Sequence, residues 1–261
     1  RSARKIFFYS LQFCCFLALF YVKIIVKCEM EYCVVLLSIC AGLVSGICWL
    51  VGDVLLVGFE VDQKCYSQFT KGSLIGNKEL AMLMLSASKK RLRWGALLAN
   101  FSIPLMLAGL YSLFMLAHLS MWNWLAIVFL GIGFVLSPVA HVAFYYVGII
   151  SKVAYEQSEG KSCSVSNAKL INEVVLFLDI TWRVAVGVTA LGWLVYSFLI
   201  FTNQTILPSY LGILTPLFGS LWVILLVKKL KIGRPYLNGA AFNVAFTIFF
   251  ILVLWYYLHP F

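Results

Sequence analysis

The chain has 261 residues, of which 63% are hydrophobic and only 11% charged, against about a quarter charged in soluble domains. Its net charge of +10 does not point to nucleic acid, because the bases gather in short stretches between apolar runs. The runs are continuous over about 20 residues and do not alternate like barrel strands, so the fold class is all-α: a polytopic transmembrane helical bundle.

The first run, Ile6 to Val22, follows Arg1, Arg4 and Lys5. Residues 1–29 read either as an uncleaved signal-anchor-like helix or as an upstream extension of a protein that begins at Met30. Residues 30–261 read as a single transmembrane helical domain. Its runs are Cys33–Gly58, Gly95–Ala117, Asn123–Ile150, Val184–Phe201, Pro208–Val227 and Ala240–Leu258. The expectation is therefore six core helices, with Ile6–Val22 as an N-terminal seventh. Cys28 and Cys33 flank a short turn and are close enough in sequence to consider as a disulfide pair.

Charge sets the expected orientation. The stretch from Phe59 to Arg93 holds seven bases, and Lys152, Lys161, Lys169 and Arg183 lie between the fourth and fifth runs. Lys228, Lys229, Lys231 and Arg234 lie between the last two, whereas His118–Trp122 and Thr202–Leu207 carry no Lys, Arg, Asp or Glu. Every second connection is basic, which places these three in the cytoplasm. The expected location is the cell membrane, multi-pass, with the N-terminus cytoplasmic if residues 1–29 are present and the C-terminus external.

Two segments are not simple spans. Leu80, Leu83, Met84 and Ala87 put an apolar face on Asn77–Trp94, which ends in "KKRLRW". It reads either as an interfacial helix holding anionic lipid headgroups through Lys89, Lys90, Arg91 and Arg93, or as a cytoplasmic extension of the next span. Asn167–Phe201 exceeds one perpendicular span, so it is expected to start in the interface; Asp179 and Arg183, four apart, can pair there.

Ionisable and polar side chains inside hydrocarbon are costly and mark candidate sites. Counting along the helices, Asp53 lies roughly 12 Å from mid-membrane, and Asn100, His141 and Asn243 roughly 7–10 Å. All four fall in the same, cytoplasmic half. Ser137, His141 and Tyr145 are spaced by four, a polar stripe on one helix face. Pro138 frees a carbonyl one turn earlier and is a candidate kink. Histidine titrates near neutrality, so an Asp53–His141 pair suits a proton, a cation or an amine. The competing reading is a structural hydrogen bond across two helices. Gly42 and Gly46 form G-x-x-x-G, a motif that lets a neighbouring helix approach closely.

No H-E-x-x-H, G-x-S-x-G, Walker A or C-x-x-C segment occurs, so no catalytic motif is found. Three histidines, one of them His259, do not make a multi-histidine metal site, and no cofactor is specified. The stretches "GDVLLVGF" from Gly52, "RLRWGALLANFSIP" from Arg91, "GFVLSPVAHVAFYYVG" from Gly133 and "NGAAFNVAF" in the last span resemble an uncharacterised, domain-of-unknown-function family of bacterial polytopic membrane proteins. The resemblance runs from about Met30 to the end and implies a fold class and a bacterial membrane, but no activity. The expected function is a multi-pass membrane protein with an inward-facing polar pocket that binds or moves a small solute or ion. Asp53, His141, Asn100, Asn243, Ser137 and Tyr145 are the candidate ligand-binding residues. The alternatives are a structural or sensory membrane protein, or an intramembrane lipid-modifying enzyme using acid–base chemistry.

Overall fold

The computed structural model describes residues 30–61, 63–233, 235–237 and 239–259. The expected first helix, Ile6–Val22, and Cys28 of the expected disulfide lie outside them. The described residues form nine α-helices: α1 Met30–Val57, α2 Gln63–Thr70, α3 Lys78–Ser86, α4 Lys89–Phe101, α5 Ile103–Met115, α6 Met121–Gln157, α7 Val165–Phe201, α8 Pro216–Leu230 and α9 Ala241–Leu258. Five helices are long and apolar enough to cross a membrane: α1, α4 continuing into α5, α6, α7 and α9. This is a helical membrane protein.

Local chemistry sets where these helices begin. Asn77, Ser88, Ser120 and Ser164 each accept a bond from the backbone N–H three residues on, at 3.0–3.2 Å, filling donors that a helix start leaves open. Ser88 also corrects an expectation. Asn77–Trp94 is not one helix, because Ala87 is extended (ψ 146°) and Ser88 starts α4 anew. The "KKRLRW" segment is thus the first turns of a span, and α3 stands apart, with Met84 buried beside Leu92 and Val147. Pro104 in the first turn of α5 lacks the N–H that would continue α4, and Ser102 covers the break by donating its hydroxyl to Ala99 O at 2.8 Å. Pro138, by contrast, leaves α6 continuous from Met121 to Gln157. The run Pro208–Val227 is split: a 3₁₀ turn, Ser209–Leu214, precedes the 15 residues of α8.

Glycines set the helix crossings. A Cβ on Gly133 (α6) would meet Thr189 Oγ1 at 2.1 Å, and one on Gly192 (α7) would meet Leu130 N at 2.8 Å. The α6–α7 hairpin, the most extensive interface in the molecule, therefore packs backbone against side chain at two levels. A Cβ on Gly109 (α5) would lie 2.7 Å from Gly42 Cα, so the G-x-x-x-G helix does receive a close neighbour. Trp193, Tyr196, Phe246, Phe249 and Phe250 fill the core between α7 and α9. Val128, Ile132, Val135, Val139 and Val142 form an exposed stripe at helical spacing on α6. Such a stripe is costly in water and neutral in lipid.

The two ends of the bundle differ. At one end the α5–α6 and α7–α8 connections pair as a short antiparallel bridge, Ala117 with Thr205, and Tyr32 stacks on Tyr257 at 4.8 Å. At the other end, α2, α3 and the loop before α7 bury Phe69, Ile75, Ala81 and Leu85 against Ala154, Ala168 and Ile171. This basic end carries the candidate site.

Candidate functional site

Helices α1, α6 and α9 each bring one polar side chain to a common point near the basic end. His141 Nε2 lies 3.1 Å from Asp53 Oδ1, and Asn243 Nδ2 donates to Asp53 Oδ2 at 2.6 Å. All three are largely enclosed: Asp53 and His141 side chains are 15% and 11% exposed, and Asn243 is buried. The sequence puts them here for a local reason. Gly52 lets α1 touch α4 beside the acid, since a Cβ there would lie 2.9 Å from Gly95 O. The depth match between late α1, mid α6 and early α9 does the rest.

The direction of the hydrogen bonds constrains the protons. His141 Nδ1 lies 3.3 Å from the Ser137 carbonyl oxygen, an atom that only accepts. A proton on Nδ1 satisfies that contact. Nε2 then faces Asp53 Oδ1 and needs one further proton between them, carried on either atom. The arrangement that satisfies every contact is therefore a neutral Asp53–His141 pair holding one exchangeable proton, with Asn243 holding the second carboxylate oxygen. Charge neutrality matters here, because an unpaired ion in this surrounding costs several kcal/mol.

The remaining candidates take other places. Ser137 contributes its carbonyl and not its hydroxyl, which bonds back to Gly133 O at 2.8 Å. Tyr145 packs edge-on against Tyr146. Asn100 is on α4, one residue past the Ala99 that Gly52 packs on, and its Oδ1 is buried without a partner among the described residues. So three of the six candidate side chains converge. Trp49 joins them unforeseen: its ring meets the His141 ring edge-on at 4.3 Å, and its buried Nε1 has no partner among the described residues. The signal was its position four residues before Asp53, on the same helix face.

The bases assigned to headgroups divide. Arg91 turns inward and caps the end of α1: Nε donates to Leu55 O at 3.0 Å, and Nη2 to Val54 O at 2.7 Å and Gly58 O at 3.1 Å. Its guanidinium also covers the Phe59 ring at 4.5 Å. A helix C-terminus presents unpaired carbonyls and a negative dipole end, and Arg91 answers both. Lys89 pairs with Glu156 at 3.2 Å. Only Lys90 and Arg93 of the four stay exposed with no such role.

A model of a family of unknown function, DUF6796, matches residues 30–259. The chain belongs to that family. The matched stretch takes in all nine helices of this DUF6796 chain, the Asp53–His141–Asn243 cluster included. No curated protein and no solved structure matches it.

Proposed function

We propose that this DUF6796 protein binds, and moves, a small solute or ion at the Asp53–His141–Asn243 cluster, with the Asp53–His141 pair as its proton-carrying group. By the positive-inside rule the basic end faces the cytoplasm, so the site is reached from inside. The observation that carries this reading is the unsatisfied indole N–H of Trp49 beside a proton-sharing pair. Buried donors without partners are rare and suit an occupant that accepts a hydrogen bond.

The test uses purified protein in detergent and in proteoliposomes containing a pH-sensitive dye. Na⁺, K⁺, ammonium and a panel of amino acids are added in turn, to the native chain and to Asp53→Asn and His141→Gln. The expected result is a probe that raises the melting temperature or moves protons with the native chain, an effect both variants lose while staying folded. A second reading, a helix lock, has its own support: both carboxylate oxygens of Asp53 are already engaged, by α6 and by α9. It wins if no probe acts on the native chain and both variants melt far lower.

A further inference from the structure

A second feature lies outside this cluster, on the first half of α7. Asn172 pins the loop before α3 to α7, donating to Leu74 O at 2.8 Å and accepting from Gly76 N at 2.8 Å. That clamp holds the start of α3 away from the α6–α7 hairpin and leaves a crevice of about 560 Å³. Its walls are mainly apolar, from Leu80, Phe144, Val175, Leu178 and Trp182, and Asp179 and Arg183 stand at its rim. Such a volume falls within the usual range of small-molecule clefts, about 300–1,000 Å³.

Depth identifies the surroundings. From Val184 to Phe201 α7 carries no charged residue, and these residues at about 1.5 Å each nearly match the hydrocarbon thickness. Asp179 and Arg183 therefore sit in the turns just outside the hydrocarbon, where lipid phosphates lie. Arg183 Nε donates to Asp179 Oδ1 at 2.8 Å, and the arginine is 72% exposed. Its two Nη groups have no acceptor among the described residues. A guanidinium fixed through Nε alone presents a forked donor pair suited to a phosphate. Asp179 keeps a carboxylate oxygen for an ammonium donor.

We propose that this crevice binds a phosphatidylethanolamine molecule, its phosphate on Arg183, its primary ammonium on Asp179 and an acyl chain along Leu80 and Phe144. Charge complementarity favours this lipid over its neighbours. The rim is itself a neutral plus–minus pair, so a net anionic headgroup meets an uncompensated Asp179. A choline headgroup matches the charge, but its quaternary nitrogen has no N–H to give the carboxylate. The inference does not use Asp53 or His141 and stands apart from the reading above.

The test is lipid retention by the full chain, measured by mass spectrometry after delipidation in detergent and re-addition of one lipid. Dioleoyl phosphatidylethanolamine, phosphatidylcholine and phosphatidylglycerol are compared with water-soluble glycerophosphoethanolamine, which carries the headgroup alone. The ethanolamine lipid is expected to be retained about tenfold better than the choline lipid, and glycerophosphoethanolamine to compete weakly. Arg183→Gln should abolish retention, and Asp179→Asn should erase the preference for ethanolamine over choline. Both residues are exposed enough that melting temperature without lipid should hold. Val175→Trp, which fills the crevice, should mimic Arg183→Gln. Equal retention of the ethanolamine and choline lipids would overturn the proposal, as would stronger retention of phosphatidylglycerol or full retention by Arg183→Gln.

Discussion

Trp49 and Trp193 both bury an indole N–H that lacks a partner among the described residues, yet they sit in opposite chemical settings. Trp193 is fully buried and meets Tyr196, Phe246 and Phe249 edge-on, at 5.3–6.0 Å between ring centroids. An N–H against ring faces keeps a weak interaction, and no polar occupant fits among those rings. Trp49 instead meets His141, itself paired with Asp53. The same unsatisfied group is thus a packing cost at one end of the bundle and an open valence at the other. Dispersion and ring geometry hold the first region, and shared protons hold the second.

That contrast yields ordered expectations. Trp193→Ala should cost most, about 3–5 kcal/mol from lost contacts and the cavity left behind. It is read as the melting temperature in detergent, and a mild effect would show that the aromatic cluster is not the bundle's mainstay. Gly133→Val should follow, at about 1–3 kcal/mol, since its side chain has nowhere to go but into Thr189. Arg91→Ala should cost about 1–3 kcal/mol by stranding three carbonyls at the end of α1. Trp49→Phe should change stability by less than about 1 kcal/mol while removing whatever a bound probe does to the melting curve. A Trp49→Phe loss as large as that of Trp193→Ala would erase the contrast. Smallest of all, Cys163 lies in the loop before α7, where burial pushes its thiol up. Alkylation at neutral pH should leave it untouched in the folded chain and reach it on unfolding, as peptide mapping would read.

Much of this was legible before any coordinates. Run lengths gave the spans, and the counting of residues from helix centres put Asp53, His141 and Asn243 at compatible depths. What periodicity could not supply is helix rotation about its own axis. Ser137, His141 and Tyr145 share a stripe, yet only His141 reaches Asp53, because a stripe one side chain wide still sweeps past several neighbours. Arg91 was misread because its acceptors are carbonyls some 36 residues away in the chain, and no local pattern reveals a distant helix end in need of a cap. The break at Ala87–Ser88 had a visible sign, a serine ahead of a basic turn, but continuous apolar spacing across it concealed the stop. The split of the Pro208–Val227 run follows from Pro208 and Pro216, which restart the chain twice within it.

The central claim is that the Asp53–His141 pair holds an exchangeable proton, with Nδ1 of His141 already protonated toward Ser137. Nitrogen-15 NMR of histidine-labelled protein at neutral pH tests it directly, with His141→Gln assigning the signal among His118, His141 and His259. The account predicts a protonated Nδ1 on His141 in the native chain and a changed ring pattern in Asp53→Asn. A bare Nδ1, with the only ring proton on Nε2, would contradict it and leave the contact as an ordinary hydrogen bond between helices.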